Sequence, residues 1–176
     1  VVGRAHGEAD PSHRLNIDII NLDKAPRNAA GLVEYSVDFC VLKPIDMSKS
    51  NRRLLYDAPN RGDKLALVDL NESVKALGSN ELSGAEDAGN GFLMRQGYVV
   101  AFSAWDGGVA PGVGYVEDAQ GHVLADFPVA TDDGAPIVET CREEIIFAHT
   151  QSPGRSPLAY PAHEPDQGAA TLTVRQ

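Results

Sequence analysis

Serines, histidines, carboxylates and glycine-marked strand ends are the features of this chain able to do chemistry, and spacing decides among them. A nucleophile elbow needs small residues two before and two after its serine, because the turn is strained and crowded. Ser103 is flanked at those positions by Ala101 and Trp105, Ser156 is followed by Pro157 and Leu158, and Ser152 is preceded by Thr150. None passes, so Ser103 is read as a packed strand residue and no catalytic residue is assigned in this chain. The histidines, His6, His13, His122, His149 and His163, show neither HxH nor HExxH spacing, which argues against zinc. TDDGAP has too few liganding oxygens for a calcium loop and reads as a turn. GGVAPGVG lacks the Lys-Ser/Thr ending of a phosphate loop. No metal and no cofactor is implied.

Two loops hold more promise. Asn60-Arg61-Gly62 follows the apolar run RLLYDA, and a glycine at a strand end lets backbone N–H groups turn outward, as an oxyanion requires. The plain alternative is a strand-to-loop turn with Arg61 paired to Asp57 or Asp63. Trp105 and Asp106, with Gly107 and Gly108, follow the second apolar run, YVVAFSAW. Ligands of open α/β sheets collect at the carboxyl ends of strands. The two loops therefore meet if the two strands are neighbours. Trp105 is then a pocket wall, against the simpler reading of a core residue. Asp106 has no visible partner for acid–base work.

These loops depend on the elements that carry them. Residues 1–13 are polar and read as a loose arm, with a single β-rich α/β domain over 14–176. Leu15, Ile17 and Ile19 alternate with Asn16, Asp18 and Ile20, which predicts a half-buried strand. Alternation is cleanest over 32–43, with Val33, Tyr35, Val37, Phe39 and Val41 on one face and Glu34, Ser36, Asp38 and Cys40 on a wet one. RLLYDA predicts a more buried strand, and KLALVD suits strand or helix equally. Asn71 has the character of an N-cap for a short helix stopped by Gly78. A second helix follows from Ser83, with Glu86 at capping-box spacing and Gly97 at its C-terminal stop. Gly89 and Gly91 inside it cost about 1 kcal/mol each, offset by close approach of helix to sheet. Beyond Trp105 the pattern is all-β: GHVLADFPVA, IVETCREEIIFA and ATLTVR, joined by DDGAP and a Pro-rich loop. The fold class is a mixed, β-rich α/β chain with antiparallel flanking strands and two short helices.

Bulk properties narrow the partners. A chain of 176 residues with 43% hydrophobic content can bury one core. A formal net charge of -10, from 25 acidic and 15 basic residues, repels phosphate backbones, so nucleic acid is a poor partner. No apolar run approaches the ~20 residues of a membrane helix. Cys40 and Cys141 are too far apart in sequence for a zinc motif, and read as buried free thiols in preference to a single bridge. The chain opens VVGRAHGEAD without an initiator Met, which fits a processed protein, a fragment or a cloned domain, and a secreted or periplasmic location is favoured over a cytoplasmic one.

The blocks APRNAAG, VEY, LLYD, NRG, DAGNGFLMRQGY and PVAT carry a further signal. From about Asn16 to Ala148, and again at LAYPA and ATLTVR, the chain resembles the N-terminal part of the large bacterial alpha/beta-hydrolase domain-containing proteins. Where that family commonly reads Trp-Gln-Gly-Asp, this chain has Trp105-Asp106-Gly107-Gly108. The resemblance implies a partial α/β-hydrolase-like sheet within a serine carboxylic-ester hydrolase. The nucleophile, its His and its Asp would come from polypeptide downstream. It implies a small-molecule ester substrate, with Asn60 to Gly62 on the oxyanion side and Trp105 and Asp106 on the pocket wall. The partner is the remainder of the hydrolase domain or a second copy of the chain. The rival is a non-catalytic β-rich binding module for a glycan or protein ligand, with Trp105, Tyr98 and Tyr115 as a stacking platform. A further rival pairs carboxylates such as Asp57 and Asp106.

Overall fold

The structure, a computed structural model, describes residues 1–59, 62–73, 82, 84–108 and 122–142. Its centre is the strand with the cleanest alternation, β2 (Val33–Leu42). Along one edge β2 pairs antiparallel with β1 (Val2–Ala9), from Val2 opposite Cys40 to Ala9 opposite Val33. Along the other it pairs antiparallel with β4 (Val99–Ser103) and then with the short β5 (Ala125–Asp126). β3 (Leu54–Asp57) lies parallel to β4, giving the order β1-β2-β4-β3. β3 and β4 are joined by α1 (Leu65–Asn71), a 3₁₀ turn (Ala85–Ala88) and α2 (Phe92–Arg95). The chain is thus mixed α/β and strand-rich, with a mixed sheet and two short helices.

The polar segment expected as a loose arm is an edge strand instead. Side chains on both faces of β1 are largely exposed, so the strand needs no apolar alternation and left no period-two signal. It is held by its ladder, by Arg4 Nε on Asp38 Oδ1 at 2.7 Å, and by the terminal amine on Val41 O. The reverse correction applies to 15–20. This segment is a series of turns, with Asn16 N–H donating to His13 O at 2.8 Å and Ile19 N–H to Asn16 O at 3.0 Å. Asp10 starts the series by accepting from Ser12 N–H and Oγ. Leu15, Ile17, Ile19 and Ile20 are exposed. Both edges of β2 are already paired, leaving no ladder there for this segment to join.

The sidedness of β2 also differs from the expected one. Cys40 and Ser36, assigned to the wet face, are buried; on the face expected to be apolar Val33 is buried, and Tyr35, Val37, Phe39 and Val41 are half-buried. The helices cover the Cys40 side: Cys40, Leu67, Leu93, Val100 and Phe102 form the main core, with Leu42, Leu55 and Tyr98 packed around it. Burying Phe102 or Leu67 contributes about 2 kcal/mol each. β3 is not the buried strand expected, since Leu54 and Tyr56 point away from the helices and are exposed. A smaller cluster, Ala104, Val123 and Ala125 with Val37, lies under β5.

α1 settles KLALVD as helix. Asp57 Oδ2, at the end of β3, accepts from Ala66 N–H at 2.9 Å and so satisfies a first-turn donor. Asn71 is the last helical residue, not an N-cap. Glu72 takes the left-handed conformation at φ 55°, Glu72 N–H returns to Val68 O, and Ser73 N–H to Leu67 O. The Glu72-to-Val68 bond is that of an αL-type stop. The second helix breaks in two because Gly89 (φ 55°) and Gly91 (φ 71°) adopt positive φ. A Cβ on Gly89 would lie 2.1 Å from Asn71 O, so its approach is to the end of α1, not to the sheet. Asp87 Oδ2, accepting from Gly84 N–H, opens the 3₁₀ turn. Gly97 (φ 73°) ends α2 as expected.

The β-rich remainder is only partly seen. Besides β5, β6 (Thr131–Asp132) and β7 (Ala135–Pro136) form a hairpin through Asp133 and Gly134, both at positive φ, so DDGAP is a turn. Residues 137–142 form no strand, and the rest of that region, with the Pro-rich loop, lies outside the described residues. Both cysteines are free, Cys40 buried but Cys141 exposed, against the expectation that both thiols are buried.

Buried Asn71 binds α1 to the following segment. Its Nδ2 donates to Ala88 O at 2.9 Å and its Oδ1 accepts from Leu93 N–H at 3.0 Å. Replacing it leaves a buried donor and a buried acceptor unpaired, at about 1–3 kcal/mol each. Asn71→Ala is expected to destabilise the chain by about 3 kcal/mol in urea unfolding. A loss under about 1 kcal/mol would show that the crossover is held elsewhere.

Candidate functional site

β3 and β4 run parallel and adjacent, so their carboxyl ends open on the same edge of the sheet. The loops that follow them touch. Trp105 Nε1 donates to Pro59 O at 2.7 Å. This is the meeting expected if the two apolar strands were neighbours. Trp105 is 55% exposed, so it stands at the surface, anchored by its indole N–H, and is not a core residue. Pro59 is buried beneath it.

Of the oxyanion candidates, Asn60 and Arg61 lie outside the described residues. Gly62 is buried, with φ 85°, and its N–H is directed at Pro59 O, 3.5 Å away. A Cβ there would come within 2.8 Å of His122 Cβ and Val123 O, so the position admits glycine for both torsion and space. Val123 N–H donates to Gly62 O at 3.1 Å, clamping the loop from the other side.

The proposed carboxylates are spent locally. Asp106 Oδ1 accepts from Gly108 N–H at 2.8 Å, closing a turn, and Asp57 caps α1. Ser103 shares a short hydrogen bond with Tyr56, Oγ to OH at 2.6 Å, on the sheet face away from the helices. Tyr98 packs against the core and Tyr115 lies outside the described residues, so no aromatic platform with Trp105 is seen. Among the described residues no cluster of His, Cys, Asp and Glu is arranged to hold a metal.

Two groups that spacing did not reveal border the loop. His122 Nε2 lies 3.4 Å from Asp63 Oδ1, an ion pair when the imidazole is protonated. The two residues are 59 positions apart, and the bond from Val123 N–H to Gly62 O holds their segments together. Next to Asp63, Lys64 is fully buried at the start of α1. Burial pulls its amine down to about 8, partly opposed by Cys40 and Asp63. The same burial pushes the Cys40 thiol up. Nothing in NRGDKLALV marks this lysine as different from its solvated counterparts, since its burial arises from tertiary packing.

No protein-family model, curated protein or solved structure matches this chain. The site therefore rests on its own geometry: two strand-end loops in contact, a glycine fixed between them, and a His–Asp pair behind.

The lysine supplies a test of that geometry. Its folded-state value near 8 lies below the ordinary 10.5, so between those pH values the unfolded chain holds more protons. Stability from this group must rise with pH through that window. Relative to Lys64→Met, the wild-type chain is expected to gain about 3 kcal/mol between pH 7 and pH 10.5 in denaturant unfolding. A pH-independent difference would place the amine in water.

Proposed function

We propose that this chain is the N-terminal portion of a serine carboxylic-ester hydrolase. On this reading its sheet is the first part of an α/β-hydrolase-like core. It supplies scaffold and one wall of the substrate pocket, and the nucleophile comes from polypeptide outside these residues. The observation that carries the reading is the contact between the loops after β3 and β4, Trp105 on Pro59. In α/β-hydrolases one oxyanion-hole donor comes from the loop between the third strand and the first helix. The loop in that position here runs from β3 to α1 and contains Asn60, Arg61 and Gly62. Gly62 N–H is aimed at Pro59 O, and the oxyanion side is assigned to the stretch Asn60 to Gly62 as a whole. Trp105, exposed and anchored, and Asp106 form the wall on the other side.

The partner surface follows from the same sheet. β3 ends the strand order, and its Leu54 and Tyr56 are exposed. A parallel pair is normally covered on both faces, so this edge and face suit the rest of a hydrolase domain or a second copy. The acidic balance disfavours nucleic acid. Among the described residues no helix is long and apolar enough to cross a membrane.

On this reading the isolated 176-residue chain carries no activated serine. It should remain unlabelled by a fluorophosphonate and should not accelerate hydrolysis of p-nitrophenyl butyrate. A longer product of the same reading frame should do both. In that product Gly62→Ala should lower kcat about tenfold or more through the displaced loop, corresponding to over about 1.4 kcal/mol of barrier. Labelling of the short chain at any serine would overturn the assignment.

A further inference from the structure

β1 ends the strand order at the opposite side of the sheet from β3, and among the described residues no strand pairs with its outer edge. Val1 and Val41 exchange backbone bonds in both directions, each 2.7 Å. Bonded partners alternate along an antiparallel ladder, so the N–H and C=O groups of Gly3, Ala5, Gly7 and Ala9 point inward at β2. Those of Val2, Arg4, His6 and Glu8 point outward. The register with β2 continues over all eight residues of β1 without a bulge, and the strand contains no proline. Arg4, His6 and Glu8 are exposed. Of the devices that protect natural sheet edges, β1 has only charges, and these are of both signs.

Two-fold pairing of this edge with itself must set outward residues opposite outward residues, which leaves few registers. Centred on Ala5, it sets Arg4 against His6 and Glu8 against Val2. Centred on Gly7, it sets Arg4 against Asp10, which already accepts from Ser12, and shortens the overlap. Centred on His6, it sets Arg4 against Glu8 twice and uses the strand from Val2 to Asp10. Both side chains have capacity for that contact. Arg4 donates to Asp38 through Nε, and among the described residues its terminal nitrogens have no partner. Asn28 Nδ2 donates to Glu8 Oε1, and Oε2 is likewise unpartnered. On the other face the Phe39 and Tyr35 rings lie across Gly3 and Gly7. A Cβ on Gly3 would stand 3.0 Å from Phe39 Cζ, and one on Gly7 closer still to Tyr35 Cζ. Both rings thus reach the seam, where Gly3 would face Ala9 and Gly7 would face Ala5 of a second copy.

We propose that β1 is a self-association edge, pairing antiparallel with β1 of a second copy about a two-fold axis at His6. The pairs Arg4–Glu8, His6–His6 and Glu8–Arg4 exchange backbone bonds and join the two sheets into one. The Arg4–Glu8 contacts are exposed to water and individually weak. They select the register, while the backbone bonds and the rings over the glycines supply the affinity. This edge uses none of the strand-end loops and lies across the sheet from β3, so it stands apart from the ester-hydrolase reading.

Sedimentation velocity of the purified chain at low salt tests this. The wild type should form a reversible dimer. Arg4→Glu and Glu8→Arg should each weaken self-association about tenfold or more, because each sets like charges opposite one another twice. An equimolar mixture of the two variants should restore the dimer, since in the mixed pair every charge again meets its opposite. His6→Pro removes an outward N–H and leaves the ladder to β2 intact, so it should abolish the dimer with the circular dichroism unchanged. Should a charge variant lose its fold, His6→Pro decides. The proposal fails if the wild type stays monomeric at about 1 mM. It fails equally if His6→Pro or either charge variant associates as the wild type does, or if the mixture of folded charge variants stays monomeric.

Discussion

The architecture turns on the requirement that a buried amide be fully hydrogen-bonded. Asn71 ends α1 with its side chain out of reach of water, so its donor and acceptor must be met by protein. They are met by Ala88 O and Leu93 N–H, while Asn90 N–H reaches back to Asn71 O at 2.6 Å. Those bonds seat α2 beside α1, and Tyr98 N–H on Leu93 O then delivers the chain directly into β4. The parallel placement of β3 against β4, and with it the contact of the two strand-end loops, follows from that crossover. Gly89 completes the arrangement by leaving no side chain where Asn71 O must pass.

What could be read from the sequence was what local chemistry controls. The alternation of β2, the glycine stop at Gly97 and the Asp-Gly turn at 133–134 all carry signals within a few residues. Failures arose where the deciding partner is distant. β1 has no apolar period because neither of its faces is covered, and 15–19 alternates with no ladder to join. Which side of β2 is buried depends on the helices of the crossover, which begin 23 residues after its end. Asn71 shows the same limit: its side chain has the right chemistry for a cap, but its partners lie in the segment after it.

The candidate site divides in the same way. That loops emerge after β3 and after β4 was legible, because strand ends and glycines announce them, but their contact through Trp105 and Pro59 depended on the strands being neighbours. Lys64 and the His122–Asp63 pair were not, since their roles come from burial and from one backbone bond, Val123 to Gly62. Lys64 is also where the fold meets an electrostatic cost, with a desolvated amine beneath the loop that carries Gly62. Burial lowers the amine's hold on its proton, and Cys40 and Asp63 oppose that shift.

The two ends of the sheet differ in how local costs are met. The helices cover one face, and on the opposite face at the parallel pair Leu54 and Tyr56 are exposed among the described residues. At the other end of the sheet Glu8 and Glu34 oppose each other across the ladder, an arrangement of like charges that destabilises a strand pair. Here the remedy is internal. Asn28 Nδ2 donates to both carboxylates, and its own Oδ1 is held by the N–H groups of Ala30 and Leu32, so the turn that precedes β2 fixes the amide the glutamates require.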